Sequence, residues 1–332
     1  MITLTSKGLY CAAGDFYIDP SRAVDHAIIT HAHADHARRG SKQYYTVKSG
    51  VGLLKSRLGA KISVQSYKYG ETFKMRGVEV SFHSAGHILG SAQVRLQLGD
   101  EVWVVSGDYK RDYDPTCEPF ESVKCDVFIT EATFGTPGYT WNKNKDLGRE
   151  IFDWWQTNAA NNINSVLFAY SLGKGQRVLG VLEPYAIDPI YTHPATSVLT
   201  QCYREEGIEL APTKCLSELA SGEILEGALI LARSAFLKSD QAYVLGDKYC
   251  TAFASGWMAK GGFGYNSYDH GFVMSDHADW NDLLQTIHET GAKRVYVQHR
   301  DGALIRHLRG LGIAAFPEEA LAPENPDQLV LI

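Results

Sequence analysis

Apolar and polar positions follow two regimes along the chain, and the change falls after Gly135-Thr136-Pro137-Gly138. Before that point, short apolar runs are bounded by glycine and aspartate. Ala27-Ile28-Ile29-Thr30 is rich in β-branched residues and reads as a buried strand, as does Val127-Phe128-Ile129-Thr130. Residues 61–65, 78–83, 92–98 and 101–106 read as further strands, with a hairpin turn at Gly99-Asp100 joining the last two. Beyond the change, residues 145–158 have helical spacing, 165–170 read as a buried strand and 175–182 as a helix. Strand–helix alternation continues to about residue 255, which predicts an α/β unit on a parallel sheet. The glycine-rich stretch 256–264 reads as a linker back to the first unit. Strand 271–275, helix 280–290 and strand 294–298 then close the pattern.

Composition narrows the class without naming a chemistry. With 332 residues, 45% hydrophobic and 21% charged, the chain can bury a large core in two domains or one large one. No apolar stretch approaches the roughly 20 residues that span a bilayer, and the first residues lack the basic and apolar regions of a signal peptide. The six cysteines are scattered with no C-x-x-C pair, as expected of reduced, mostly buried thiols in a cytoplasmic protein and not of a disulfide framework. Net charge is −6, so a polyanion would need a local basic groove or the field of bound metal ions.

The chemistry concentrates in Thr30-His31-Ala32-His33-Ala34-Asp35-His36, directly after the first of those strands. If the strand stops at Thr30, the alternating His31 and His33 project from its end and the following turn brings Asp35 and His36 round. Three imidazoles and a carboxylate suit zinc or another borderline divalent cation, and oxygen ligands widen the choice to manganese or iron. A histidine-rich surface turn is the plain alternative. His87, in Ala85-Gly86-His87, and Asp108, in Ser106-Gly107-Asp108, also follow predicted strands, where flanking glycines let the backbone turn tightly. Either alone is an ordinary loop residue; occurring in order behind the histidine cluster, they read as further ligands.

These motifs together resemble those of the metallo-β-lactamase fold. Asp19, after Phe16-Tyr17-Ile18, resembles that fold's bracing aspartate. Thr130-Glu131-Ala132 resembles the acidic motif that opens the β-CASP insertion of the nuclease branch, Ser275-Asp276-His277-Ala278-Asp279 its motif B, and Gln298-His299-Arg300 its motif C. Ser255-Gly256-Trp257-Met258, with the motif B segment, resembles the bacterial ligase-associated DNA exonucleases. His299 departs from DNA-directed relatives, which usually carry an aliphatic residue there, and matches RNA-processing members.

The resemblance implies an αβ/βα four-layer sandwich from residues 1–145 and 269–332, with residues 146–268 as an inserted α/β domain. It implies two divalent metal ions, zinc with manganese as the alternative: one on His31, His33 and His87, the other on Asp35, His36 and His299, with Asp108 bridging. Such a pair activates water and clamps a phosphodiester. His277 would protonate the leaving oxygen with Glu131 orienting it. The implied substrate is DNA, at ends or as single strands, in repair or end-processing, with functional association to a DNA ligase and helicase and no membrane partner. RNA is the rival substrate; a small-molecule metallohydrolase and a metal-free scaffold are further readings. The residues themselves add Ser171, Lys174 and Gln176, in a turn that follows a strand and opens a helix, as phosphate contacts. A solvated Lys174 on a plain turn is the competing reading. His193 reads better as a surface turn.

Overall fold

Val78–Ser84 shows how the sequence pattern builds the first half of the molecule. Successive side chains of a strand point to opposite faces, so Val78, Val80 and Phe82 enter one core while Glu79 and His83 face away from it. Val127–Thr130 has no polar face: Val127 and Ile129 enter that same core, and Phe128 enters a second one on the far side. A strand sandwiched on both faces reads as a continuous apolar run, which is why the sequence pattern there lacks alternation.

The computed structural model describes residues 1–260, 267–298 and 302–323. It is a mixed α/β protein in which three sheets are found among the described residues. Contacts divide the chain into two units: residues 1–113, 118–137 and 277–332, and residues 114–117 with 138–276.

Unit 1 holds two sheets. The first runs, in sequence order, through Ile2–Thr5, Gly8–Cys11, Phe16–Ile18, His26–Ile28, Gln43–Val47 and Val64–Tyr67, antiparallel at first and parallel from Phe16–Ile18 onward. The second has the spatial order Ala314–Pro317, Arg294–Val297, Val127–Thr130, Glu101–Val105, Ala92–Leu98, Val78–Ser84 and Thr72–Met75. Phe16, Ile18, Ile28 and Val47 of the first sheet share one apolar core with Val80, Phe82, Val94 and Leu96 of the second. On the other face of the second sheet, Val104, Phe128 and Val295 pack with Leu283 and Ile287 of helix Trp280–Thr290 and with Leu304 and Leu308 of helix Ala303–Gly310. On the other face of the first, Ala27 and Tyr44 pack with Leu54 and Leu58 of helix Val51–Leu58.

Unit 2 carries a six-stranded, wholly parallel sheet in the order Thr213–Cys215, Ile190–Thr192, Leu229–Ala232, Asn164–Phe168, Tyr249–Ala254 and His270–Phe272. One face carries Leu167, Leu229 and Leu231 against Ile151 and Trp155 of helix Leu147–Ala159 and Val178 and Leu182 of helix Lys174–Leu182, and the other packs Val166, Phe168 and Ile230 with Phe236 and Leu245. Trp155 is therefore core, with its indole N–H donated to the Gly227 carbonyl at 2.9 Å.

The predicted strands and helices fall within a few residues of the observed ones. The main shift is at 61–65, where the strand is Val64–Tyr67. The strand predicted over 27–30 ends at Ile28, two residues before Thr30, because the Thr30 N–H and hydroxyl are bound to the Asp19 side chain, while its carbonyl accepts from the Ala92 N–H at 2.8 Å. Residues 261–264 of the glycine-rich stretch lie outside the described residues, and Gly256–Lys260 forms a 3₁₀ turn. The closing helix is marked at both ends by local chemistry: the Asp279 carboxylate accepts from Asp282 N–H, and Gly291 takes a left-handed φ of 68°. No disulfide joins the six cysteines, and only Cys11 is buried, fewer than the expected majority. Among the described residues, no helix is long and apolar enough to cross a membrane.

Candidate metal centre

The histidine loop is held from beneath by one carboxylate. Asp19 Oδ1 accepts from the Thr30 backbone N–H at 2.8 Å and Oδ2 from the Thr30 hydroxyl at 2.5 Å; Oδ2 also lies 2.7 Å from His36 Nδ1. A carboxylate only accepts, so Nδ1 of His36 carries the proton and Nε2 points the other way, to 3.5 Å from Asp108 Oδ2. Thr30 acts a second time. Its hydroxyl hydrogen goes to Asp19, which leaves its oxygen to accept from His31 Nδ1 at 3.1 Å. The His31 tautomer assigned this way has a lone pair on Nε2, which faces His33 Nδ1 at 3.1 Å and Asp108 Oδ2 at 3.5 Å.

His87 and Asp108 reach this point because glycine precedes each. Gly86 has φ 67°, and a Cβ there would stand 2.3 Å from the Lys110 carbonyl oxygen. Gly107 has φ 56°, and its Cβ would stand 2.7 Å from Thr30 Cβ. No larger residue fits either approach. Ser91 Oγ accepts from the His87 and Ile88 N–H groups at 3.0 and 3.2 Å and sets the turn, and His87 Nε2 arrives 3.0 Å from His33 Nδ1.

The donor atoms of His31, His33, His87 and Asp108 all lie within 4.8 Å of one another. Burial, with repulsion from His36 and His87, holds His31 well below the ordinary histidine range. Burial would also lower His36, but Asp108 and Asp19 outweigh it and hold that imidazole well above the usual value. Asp108, despite burial, is held well below the carboxylate range by His36 and then His277. Imidazole nitrogens packed 3.0–3.1 Å apart cannot all carry protons, so unprotonated lone pairs converge beside a carboxylate. That donor set fits a borderline divalent cation. Asp35 stands at the edge, its side chain 75% exposed and Oδ2 3.8 Å from His36 Nε2. His299 lies outside the described residues.

A second group shares Asp108. Glu131 follows strand Val127–Thr130, is buried, and accepts from the Tyr109 N–H at 2.6 Å through Oε1. His277 Nδ1 is 2.9 Å from Glu131 Oε2 and 3.9 Å from Asp108 Oδ2. Donation from Nδ1 to Glu131 directs Nε2 away from the carboxylate.

Some supporting residues were not predicted. Thr30 had a legible signal, a hydroxyl adjoining the first histidine. Ser91, and Ser106, whose Oγ accepts from Glu131 N–H at 3.2 Å, had none. Nor had Arg57, which donates to the Ala32 carbonyl from helix Val51–Leu58.

The three predicted phosphate contacts lie in unit 2. Gln176 is occupied by its own turn and a neighbouring helix: Oε1 accepts from Gly173 N–H at 2.8 Å, and Nε2 donates to the Ser171 carbonyl at 3.0 Å and to Thr200 Oγ1 of helix Pro194–Glu205 at 3.1 Å. Lys174 is buried, with Nζ 3.3 Å from Asp276 Oδ2, and so is not the solvated lysine of the competing reading. The Ser171 hydroxyl is buried and has no hydrogen-bond partner among the described residues. His193 caps helix Pro194–Glu205, its Nδ1 accepting from Ala195 N–H at 3.2 Å.

No family model matches the chain. It is 30% identical over 89% of its length to a probable DNA ligase of Opitutus terrae, and that stretch spans 28% of the relative. It is 23% identical over 73% of its length to an RNase J-like protein of Methanocaldococcus jannaschii, spanning 62% of that protein. A shorter match, 26% over 37% of the chain, is to the endoribonuclease YSH1 of Kluyveromyces lactis, and it spans 16% of that protein. Among solved structures, a protein of unknown function from Enterococcus faecalis shares the fold, with a TM-score of 0.60 at 15% identity over 89% of this chain and 79% of the other. The chain belongs to the β-CASP family of metallo-β-lactamase-fold proteins.

Proposed function

We propose that the chain is a metal-dependent DNA exonuclease of the ligase-associated kind, acting on DNA ends or single strands in cytoplasmic repair or end-processing. The observation that carries this reading is the couple of buried Glu131 with half-buried His277, which shares Asp108 with the histidine cluster. A small-molecule hydrolase of this fold has no need of that couple. In this reading the two sheets and flanking helices of unit 1 are the four-layer sandwich, and residues 146–268 are the insertion. His31, His33 and His87 would hold one divalent ion and Asp35, His36 and His299 a second, with Asp108 available to both. Zinc or manganese bound there supplies Lewis-acid charge that activates water and neutralises phosphoryl oxygens.

The chain's own residues do the rest. Asp19 and Thr30 set the tautomers of His36 and His31, so that lone pairs and not protons face the centre. Asp108 places a negative charge where cations must approach one another. His277 delivers its Nε2 proton to the leaving oxygen, and Glu131 holds the ring.

The similarity to a protein named a probable DNA ligase supports DNA as substrate and a working association with a ligase. Relatives named as ribonucleases favour a second reading, RNA processing. The test is metal analysis of the purified protein, followed by assays on end-labelled single- and double-stranded DNA and RNA with zinc or manganese. Stepwise shortening of DNA from an end is the expected result. RNA cut much faster than DNA would move the assignment to the second reading, and inertness of metal-loaded protein on all four would reject both.

A further inference from the structure

The chain has a net charge of −6, yet between Asp35 and Glu71 it contains eight lysines and arginines and no aspartate or glutamate. This acid-free stretch begins at the end of the histidine loop and continues through the Lys48–Gly50 turn and helix Val51–Leu58. Three of its cations gather against the loop itself. Arg57 donates to the Ala32 carbonyl, between His31 and His33, and Arg39 donates to the Arg57 carbonyl at 2.9 Å. Arg38 and Arg39 are near enough to depress the Arg57 guanidinium, after burial and against the pull of Asp35. Arg38, Arg39, Lys48 and Lys55 are exposed. Among the described residues, no carboxylate forms an ion pair with any of them or with Arg57; Lys42, the nearby exception, pairs with Asp25 at 2.9 Å.

Three mutually repelling guanidinium groups with no carboxylate partner gain most from a ligand that supplies several negative charges in a row. We propose that Arg38, Arg39 and Arg57 form a track for the phosphate backbone of a single nucleic-acid strand whose end is processed at the adjoining centre. This rests on the reading above and adds the substrate-binding surface to it. The contacts are to phosphates and so carry no base preference. Arg57 has a second duty, because its bond to Ala32 ties the track to the loop bearing His31 and His33, so a strand drawn onto the track is held at a fixed position along the loop.

The test is binding of a fluorescently labelled single-stranded 30-mer, read by anisotropy across a salt series with EDTA present so that nothing is cut. For single strands the slope of log affinity against log salt is about 0.7 per phosphate neutralised. The double variant Arg38→Gln/Arg39→Gln should therefore bind more weakly, with a slope shallower by about 1.4. Lys238→Gln/Lys248→Gln removes the same charge from exposed positions in unit 2 and should leave the slope as it was. Both variants are checked for folding by circular dichroism. Equal slopes for the two variants would overturn the track, as would a parent that binds polyglutamate as tightly as the oligonucleotide. Because nothing is cleaved, a parent that binds through these arginines yet degrades no nucleic acid would defeat the proposed activity and leave the track standing.

Discussion

Removing the Asp19 carboxylate tests whether the histidine loop is pre-set by the fold. Its side chain is 14% exposed and satisfies the Thr30 N–H, the Thr30 hydroxyl and His36 Nδ1 at 2.8, 2.5 and 2.7 Å. Hydrogen bonds to a charged group contribute about 1.5–3 kcal/mol each, less than additively when they share an acceptor. In Asp19→Ala the buried Thr30 N–H and the His36 Nδ1–H lose their acceptor, and alanine is forced into the φ of 45° that Asp19 adopts. The loss should be about 3–5 kcal/mol, from three charge-assisted bonds that share one acceptor and the forced backbone conformation. Asp19→Asn separates stability from orientation. Asparagine tolerates the backbone conformation and keeps an acceptor for Thr30, so roughly 1–2 kcal/mol should be lost. Its amide N–H₂, however, would face His36 Nδ1, and the ring would have to turn its lone pair inward and its proton toward Asp108. Metal affinity should then fall about 10–100-fold, the usual cost of losing a ligand's supporting bond. Urea unfolding of metal-free protein gives the first number, and zinc competition against a chromogenic chelator gives the second. An Asp19→Asn protein that matches the parent in zinc affinity would refute the reasoning, whatever its stability.

Asp108→Asn should keep its fold and lose turnover, since a neutral amide cannot offset charge between cations; full activity with normal metal content would remove Asp108 from the centre. His277→Ala should retain metal and lose about 10²–10⁴-fold in rate on DNA, with a smaller loss on a nitrophenyl phosphodiester whose leaving group needs no proton. Glu131→Gln should follow the same pattern more mildly, and an equal loss on both substrates would deny His277 the role of acid. Gly107→Ala should lower the melting temperature by several degrees, because the new Cβ would sit 2.7 Å from Thr30 Cβ at a φ of 56°; an unchanged melting curve would show that the loop can yield. Asp269 accepts from Thr251 N–H and its hydroxyl, and these bonds hold its carboxyl below the ordinary value. A depressed folded-state pKa gives stability that is present above the unfolded value near 3.9 and lost as pH falls through the folded one. Asp269→Asn should therefore flatten the acid limb of a stability–pH curve, and an unaltered limb would exclude the contribution.

Legibility from sequence followed how local each determinant is. Helix Trp280–Thr290 could be read because its stop signals are its own residues, Asp279 and Gly291. Val127–Thr130 could be read because burial on both faces leaves an unbroken apolar run. Strands such as Gln43–Val47 and Thr72–Met75 escaped notice because their polar and aromatic residues acquire meaning only beside partners elsewhere in the chain. The ligand candidates could be read from spacing and flanking glycines. Their supports could not: Arg57 lies 25 residues from the carbonyl it holds, and no short-range pattern announces such a bond. Lys174 shows the converse. A lysine opening a helix after a strand has the local marks of a phosphate contact, and only the distant Asp276 reveals what its charge faces here.

One feature of strand direction explains why chemically relevant residues recur at intervals in the first half of the chain. In the second sheet, Val127–Thr130 lies parallel to Glu101–Val105 on one side and Arg294–Val297 on the other. Val78–Ser84 is antiparallel to Ala92–Leu98, which is antiparallel to Glu101–Val105, so Val78–Ser84 points the same way as these three. The loops that follow Val78–Ser84, Glu101–Val105 and Val127–Thr130 therefore all emerge at one edge, and they carry His87, Asp108 and Glu131. Helix Trp280–Thr290 must run back before Arg294–Val297 can join the sheet in parallel, so its N-terminus, preceded by His277, starts from that same edge. The intervening Ala92–Leu98, running the other way, delivers no ligand there and serves as packing. A centre drawing one side chain from each of several loops is held by the separate strands that place them. Lengthening any one loop should disturb its own residue and leave the rest in position.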